Sequence, residues 1–229
     1  MDSLLDTTID YDGDVFRNIV SLRESRDLFA DLAEGDPILS KIAAYSEMRV
    51  KEDIPGGLLS RGFHYTTAIN FPFEQEPYLS TRYGNGSYGV WYGSLELDTT
   101  IHETCYHMMK GELGVEGLKV PIVRERAVYL ADCRAVLIDL RGKQKTFSWL
   151  VADDYGMTQA IGSRLQREGH PGLLAPSARC DGTNLAAFTP SIISNVRNHC
   201  YLTYTFDPVA RTVVAERRQG ERLFTISYS

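Results

Sequence analysis

The chain has no CxxC pair. Its four cysteines, Cys105, Cys133, Cys180 and Cys200, are scattered over 229 residues, which excludes a zinc ribbon and a thioredoxin-like motif and predicts free thiols in a reducing cytoplasm. Nor is there any run near the roughly 20 apolar residues that a membrane span needs. The opening MDSLLDTTIDYDGDVF is acidic and lacks the basic and apolar regions of a signal peptide. Positive charge is not in excess: 24 Lys and Arg stand against 30 Asp and Glu, a formal charge of -6. That excludes a broad cationic surface for DNA or RNA but leaves room for a local basic pocket around a small phosphate-bearing ligand. What is present, 43% hydrophobic and 24% charged residues, is the composition of a folded globular protein and not of a disordered chain. The length fits one domain, or a domain with an appendage.

The chain changes character near residue 55. Before it, DVFRNIVSLRESRDLFADLAE places Val15, Ile19, Leu22, Leu28, Phe29 and Leu32 near one helical stripe, and DPILSKIAAYSEMRV offers Asp36 as N-cap with Pro37 at the first helical position. Residues 1–55 therefore read as an N-terminal helical extension. KEDIPGGLLSRG is a break, with Pro55, Gly56 and Gly57 as punctuation. Residues 56–229 then read as the main domain. GFHYTTAI, SYGVWYGSLEL, RAVYLADCRAVLIDL, NHCYLTYTF, RTVVAERR and RLFTISYS are short stretches rich in β-branched and aromatic residues. Two helices interrupt these strands, one over about 99–110 and one, whole or divided, within TFSWLVADDYGMTQAIGSRLQREG. The expected fold class is α+β with a mixed, largely antiparallel sheet.

Three segments concentrate residues that carry chemistry. In TTIHETCYHMM, two histidines flank a glutamate as in a zinc protease, but the pattern is one residue too long. His102 and His107 fall roughly 140° apart around a helix, so one tetrahedral ion cannot easily use both and no metal is expected. Glu103 has two readings. Thr100 and Glu103 have capping-box spacing, which would tie the carboxylate to the helix start; Asp98 is an equally good N-cap, which would free it. In STRYGNGSYG, Arg82 precedes a turn in which Gly84, Asn85 and Gly86 permit positive φ and close ligand approach. Its guanidinium would suit phosphate oxygens, while the plain alternative is a solvated arginine on a hairpin. In GHPGLLAPSARCDGTNLAAFTP, a polar turn from Pro176 to Asn184 separates two apolar strands. Ser177 has no G-x-S-x-G elbow and no identifiable base, so it reads as a turn residue more readily than as a nucleophile.

Taken together and in order, LLSRGFHY, STRYGNGS, GVWYGSLELDTTIHE and APSARCDGTNLAAF resemble the motifs of the RES-domain family. These are the toxin halves of bacterial RES-Xre toxin-antitoxin pairs, named for an arginine, a glutamate and a serine. The resemblance spans roughly residues 58 to 205. It departs from the family where RYGNGS replaces the usual RFSP.G and where His102 takes the place of a small or apolar residue.

The resemblance implies a fold related to mono-ADP-ribosyltransferases and an enzyme that cleaves the nicotinamide-ribose bond of NAD⁺ by phosphorolysis or hydrolysis. ADP-ribosyl transfer to a protein is the alternative reaction, and a non-catalytic nucleotide- or protein-binding module the alternative class. Arg82, Tyr92 and Glu103 would be catalytic, and Arg61, Ser177, Arg179 and Asn184 would contact substrate. NAD⁺ is then a substrate, with inorganic phosphate as a possible co-substrate and no cofactor. The expected partner is an Xre-like antitoxin in a hetero-oligomer, without direct binding of nucleic acid or membrane. The chemistry suits the residue types. Breaking the glycosidic bond builds positive charge on the ribose, as in glycoside hydrolysis, and a carboxylate about 4 Å away stabilises it by roughly 4 kcal/mol at an effective dielectric near 20.

Overall fold

The computed structural model describes residues 2–21, 69–74, 78–114 and 117–228. Strands β1 (Thr8–Val20), β2 (Trp91–Ser94), β3 (Ile122–Asp139), β4 (Gly172–Pro176), β5 (Thr183–Ala187), β6 (Ile193–Asp207), β7 (Thr212–Arg218) and β8 (Glu221–Ser227) form one sheet in the order β1-β2-β5-β4-β3-β6-β7-β8. Two one-turn helices, α1 (Asp2–Leu5) and α2 (Phe71–Glu74), and two longer ones, α3 (Leu97–Glu112) and α4 (Gly156–Arg167), accompany it. Among the described strands only β3 and β4 pair in parallel, so the α+β, largely antiparallel expectation holds. No helix among the described residues is long and apolar enough to cross a membrane.

β3 organises the sheet because it is long enough to hold three partners. One edge pairs β1 without interruption from Ile138 opposite Thr8 to Arg126 opposite Val20. The other edge is divided: β6 pairs from Ile122 to Cys133 and β4 takes Ile138 and Asp139. Since β1 also meets β2 where Phe16 faces Ser94, strands β1, β2, β5, β4 and β3 close into a circuit, and β6, β7 and β8 branch from it. Val15, Trp91, Leu137, Leu174 and Leu185 fill the circuit and are fully buried. On the branch, Ile101, Cys105 and Met109 of α3, four residues apart on one face, pack on Leu202, Tyr204, Phe206 and Val213. Each such side chain contributes about 1.5–3 kcal/mol by leaving water.

Two sequence expectations are corrected. Residues 14–20 begin no helix; they complete β1. Val15 and Ile19 sit four apart and satisfied a helical stripe, but the ladder with β3 bonds the whole segment and overrides that local preference. The rest of the expected extension, from residue 22 to 55, lies outside the described residues, as do the break at 51–62 and most of the GFHYTTAI strand. Neither Asp98 nor Thr100 caps α3. Glu96 flanks the helix in extended conformation, and Thr99 donates to its carboxylate at 2.8 Å.

Candidate functional site

Helix α3 presents two stripes. While Ile101, Cys105 and Met109 face the sheet, Thr100, Glu103, Thr104 and His107 lie along the wall of a cavity of about 400 Å³. Those four follow the i, i+3, i+4, i+7 spacing of one helix face. The cavity is closed by β1 through Arg17 and Asn18, by β2 through Tyr92, Gly93 and Ser94, by β4 and β5 through Pro176 and Asn184, and by the loop around Arg82.

With the helix start fixed at Glu96, Glu103 lies in the second turn and its carboxylate reaches across to the strands. Its Oε1 accepts from the Ser177 hydroxyl at 2.6 Å and from the Asn184 side-chain amide at 2.7 Å. Both donors are themselves oriented. The Arg179 backbone N–H donates to Ser177 Oγ at 3.0 Å, and Ser94 donates to Asn184 Oδ1 at 2.7 Å, which turns the Asn184 NH₂ towards the glutamate. The turn between β4 and β5 comes close enough because residue 182 is glycine: a Cβ there would stand 1.9 Å from Thr99 Oγ1. Glu103 is thus fixed by neutral donors, and no described cation forms an ion pair with it.

The facing wall carries Arg82. Its Nη1 donates to the carbonyls of Leu150 (3.1 Å) and Ala152 (2.6 Å), and its guanidinium lies over the Tyr155 ring at 4.6 Å. The loop that holds it is tied from two sides. The Tyr92 hydroxyl bonds Thr81 Oγ1 at 2.9 Å and accepts the Tyr83 N–H at 2.8 Å, and Gln159 of α4 donates to Ser80 Oγ and to the Thr81 carbonyl, both at 2.9 Å. Close approach of α4 again needs glycine, since a Cβ on Gly162 would lie 2.0 Å from the Tyr83 carbonyl oxygen. In the following turn only Gly86 takes positive φ, 89°.

The structure therefore brings Arg82, Tyr92, Glu103 and Asn184 around one cavity, with Ser177 behind Glu103. Tyr92 lines the wall, but its hydroxyl is engaged in shaping the Arg82 loop, and burial raises its pKa well above the usual phenol value. Arg179 is not in the lining. It pairs with Asp153 at 2.6 Å and stacks on Tyr106 at 3.3 Å, which ties the Ser177 turn to the loop just beyond Ala152. Arg61 lies outside the described residues.

Residues that sequence reading passed over also reach the cavity, Arg17, Asn18, Ser94, Thr104 and Tyr155, as does His107, which was considered only as a metal ligand. The polar stripe of α3 contained a signal for Thr104 and His107, because both follow Glu103 on the same face. His102, by contrast, turns to the sheet branch and meets the Phe224 ring edge-on at 5.4 Å. Among the described residues no three His, Cys, Asp or Glu side chains converge as a metal site would require. His107 is exposed at the residue level, yet partial desolvation of its ring lowers its pKa below 6.5, with Glu103 opposing that shift. Burial also pushes the Cys105 and Cys133 thiols up to about 12, so both are unreactive core residues.

Chemically, the cavity offers one carboxylate held by neutral hydrogen bonds and arginines held by carbonyls and rings. Such a site accommodates a ligand that carries both signs of charge. Comparison with known proteins agrees with the order of motifs: the model of the RES domain matches residues 58–207. Among solved structures, a chain from the crystal structure of the M. tuberculosis MbcT-MbcA toxin-antitoxin complex is similar, with a TM-score of 0.47 and 12% identity over 90% of this chain and 92% of that one. No curated protein matches.

Proposed function

The chain belongs to the RES-domain family, and from that premise we propose that it cleaves the nicotinamide-ribose bond of NAD⁺ and acts as the toxin of a cytoplasmic toxin-antitoxin pair. The observation that carries the reading is the state of Glu103: a carboxylate on the cavity wall, fixed through one oxygen by Ser177 and Asn184, with no ion pair to a described residue. As the C1″–N bond breaks, its electron pair leaves with neutral nicotinamide and positive charge spreads over the ribose ring. An unneutralised carboxylate stabilises that charge most in the transition state, which is where it accelerates the reaction. Arg82 would hold phosphate oxygens of the dinucleotide through the edge of its fork not used by the carbonyls. Tyr92 acts through the Arg82 loop, and Ser177 and Asn184 act through Glu103. An oxygen nucleophile, from phosphate or water, then bonds C1″ and loses its proton. An Xre-like antitoxin that covers the cavity would restrain the enzyme.

Purified protein incubated with NAD⁺ should release nicotinamide, and Glu103→Ala or Arg82→Ala should abolish release. Intact NAD⁺ after incubation with wild-type protein, with and without phosphate and candidate protein targets, would refute the proposal; NAD⁺-induced thermal stabilisation without turnover would mark a binding module instead. Product identification separates the acceptors: ADP-ribose, ADP-ribose-1″-phosphate or a modified protein.

A further inference from the structure

Strand β1 precedes the segment matched by the family model, yet it contributes Arg17 to the cavity wall. The guanidinium of Arg17 is held in place and has no counter-charge among the described residues. Its Nη1 donates to the Tyr92 carbonyl at 2.5 Å and its plane lies over the Trp91 ring, 5.3 Å from the centroid. Its Nε is enclosed and has no acceptor. None of the ion pairs among the described residues includes it. Burial and the nearby Arg126 lower its pKa to about 10, so it remains a cation at neutral pH.

Neither Asn18 nor Glu103 pairs with it. Asn18, the next residue along the wall, has its Oδ1 occupied by Arg126 and its NH₂ by Thr104 and Tyr204. Glu103 Oε1 already receives Ser177 and Asn184. A half-buried cation with a like-charged neighbour and an enclosed Nε that lacks an acceptor is unfavourable without a ligand. The arrangement becomes favourable when an anion in the cavity supplies the missing counter-charge.

We propose that Arg17 is a phosphate-binding residue of this site, so that the N-terminal strand contributes to the ligand pocket as well as to the sheet. The ligand group is a phosphate oxyanion, either of the dinucleotide's pyrophosphate or of free inorganic phosphate. The inference rests on the reading of the cavity as an NAD⁺ site, but its test does not depend on turnover.

The test uses the full chain, with Arg17→Met to remove the charge while filling the space and Arg17→Lys to keep the charge and lose the fork. Calorimetric titration with inorganic phosphate and, separately, with ADP-ribose reads binding; melting without ligand reads the fold. Arg17→Met should melt at or above the wild-type temperature, because a half-buried cation without an ion pair has been removed. It should also bind one of the two probes at least about tenfold more weakly, the loss expected for a charge-assisted hydrogen bond. Loss confined to inorganic phosphate identifies the free co-substrate, and loss for ADP-ribose identifies the pyrophosphate. Arg17→Lys should recover part of that affinity. If Arg17→Met melts lower and binds both probes like wild type, Arg17 is structural and the proposal is overturned. Should Arg17→Met fail to fold, wild-type affinity of Arg17→Gln for both probes overturns it equally. A wild-type protein that binds phosphate through Arg17 but leaves NAD⁺ intact would support this inference and sink the catalytic reading alone.

Discussion

The outer surface and the cavity treat arginine in opposite ways. On the outside, guanidinium groups meet carboxylates: Arg134 with Asp12 at 2.7 Å, Arg141 with Asp139 at 2.7 Å, Arg164 with Glu168 at 2.9 Å, and Arg197 with both Asp14 and Asp132. Around the cavity, Arg17 and Arg82 meet main-chain carbonyls and aromatic faces. Glu103 completes the contrast, since its fixed partners are a hydroxyl and an amide. With 30 acidic residues available, the absence of described carboxylate partners is local to the cavity. Exposed ion pairs are compensated and screened, and contribute little. Charges oriented by neutral dipoles inside a cavity keep their field for a ligand.

Removing the cavity's negative charge should have the largest effect. Glu103→Gln keeps the shape and loses the charge, and kcat for nicotinamide release should fall about a thousandfold while dinucleotide affinity changes little. Weakening the neutral supports comes next. Asn184→Ala or Ser177→Ala leaves Glu103 charged with one donor, and each should lower kcat by about tenfold, less than the charge itself. Stopped assays of the single and double variants check whether the two donors act as a unit.

A smaller effect should come from pH. His107 lies one turn beyond Glu103 on the same face, and desolvation lowers its pKa below 6.5. The fold thus favours the neutral ring: its contribution to stability is complete above 6.5 and is lost as pH falls through the lowered folded value. Protonation there also places a cation beside Glu103, so kcat should decline over the same acidic window, and His107→Asn should flatten that limb in a pH-rate profile. The smallest effect should be at the surface. Arg134→Gln removes one side of an exposed pair and should leave nicotinamide release and melting temperature indistinguishable from wild type. A surface variant that matched Asn184→Ala in activity would break the contrast.

Much of this was legible in local sequence. The α3 reading of 99–110 falls within Leu97–Glu112, and the apolar-polar-apolar reading of 171–187 became β4, a turn and β5. The Arg82, Tyr92 and Glu103 motifs lie on consecutive local elements and could be read together, although Leu150, Ala152 and Gln159 are what fix the Arg82 loop. What could not be read depended on distant partners. Residues 14–20 look helical alone and become β1 only because β3 pairs with them, and Arg17 reaches the cavity by that same register. The helix start was ambiguous between Asp98 and Thr100, because the group that settles it, the Thr183 N–H donating to Glu96 at 3.1 Å, comes from β5. Tyr92 was expected among the catalytic residues, and only the loop geometry assigns its hydroxyl to Thr81 and Tyr83.

The ladder between β1 and β3 also sets an order in time. Roughly a hundred residues of chain separate the paired strands, a long loop to close and a source of slow folding. As the ribosome works from the N-terminus, β1 emerges early and waits unpaired until Asp139 has appeared. The cavity, which needs Arg17 from the first strand and Asn184 from well beyond the third, is assembled only after most of the chain has been made. The activity proposed for the cavity would therefore begin only once Asn184 has been made and the sheet has closed.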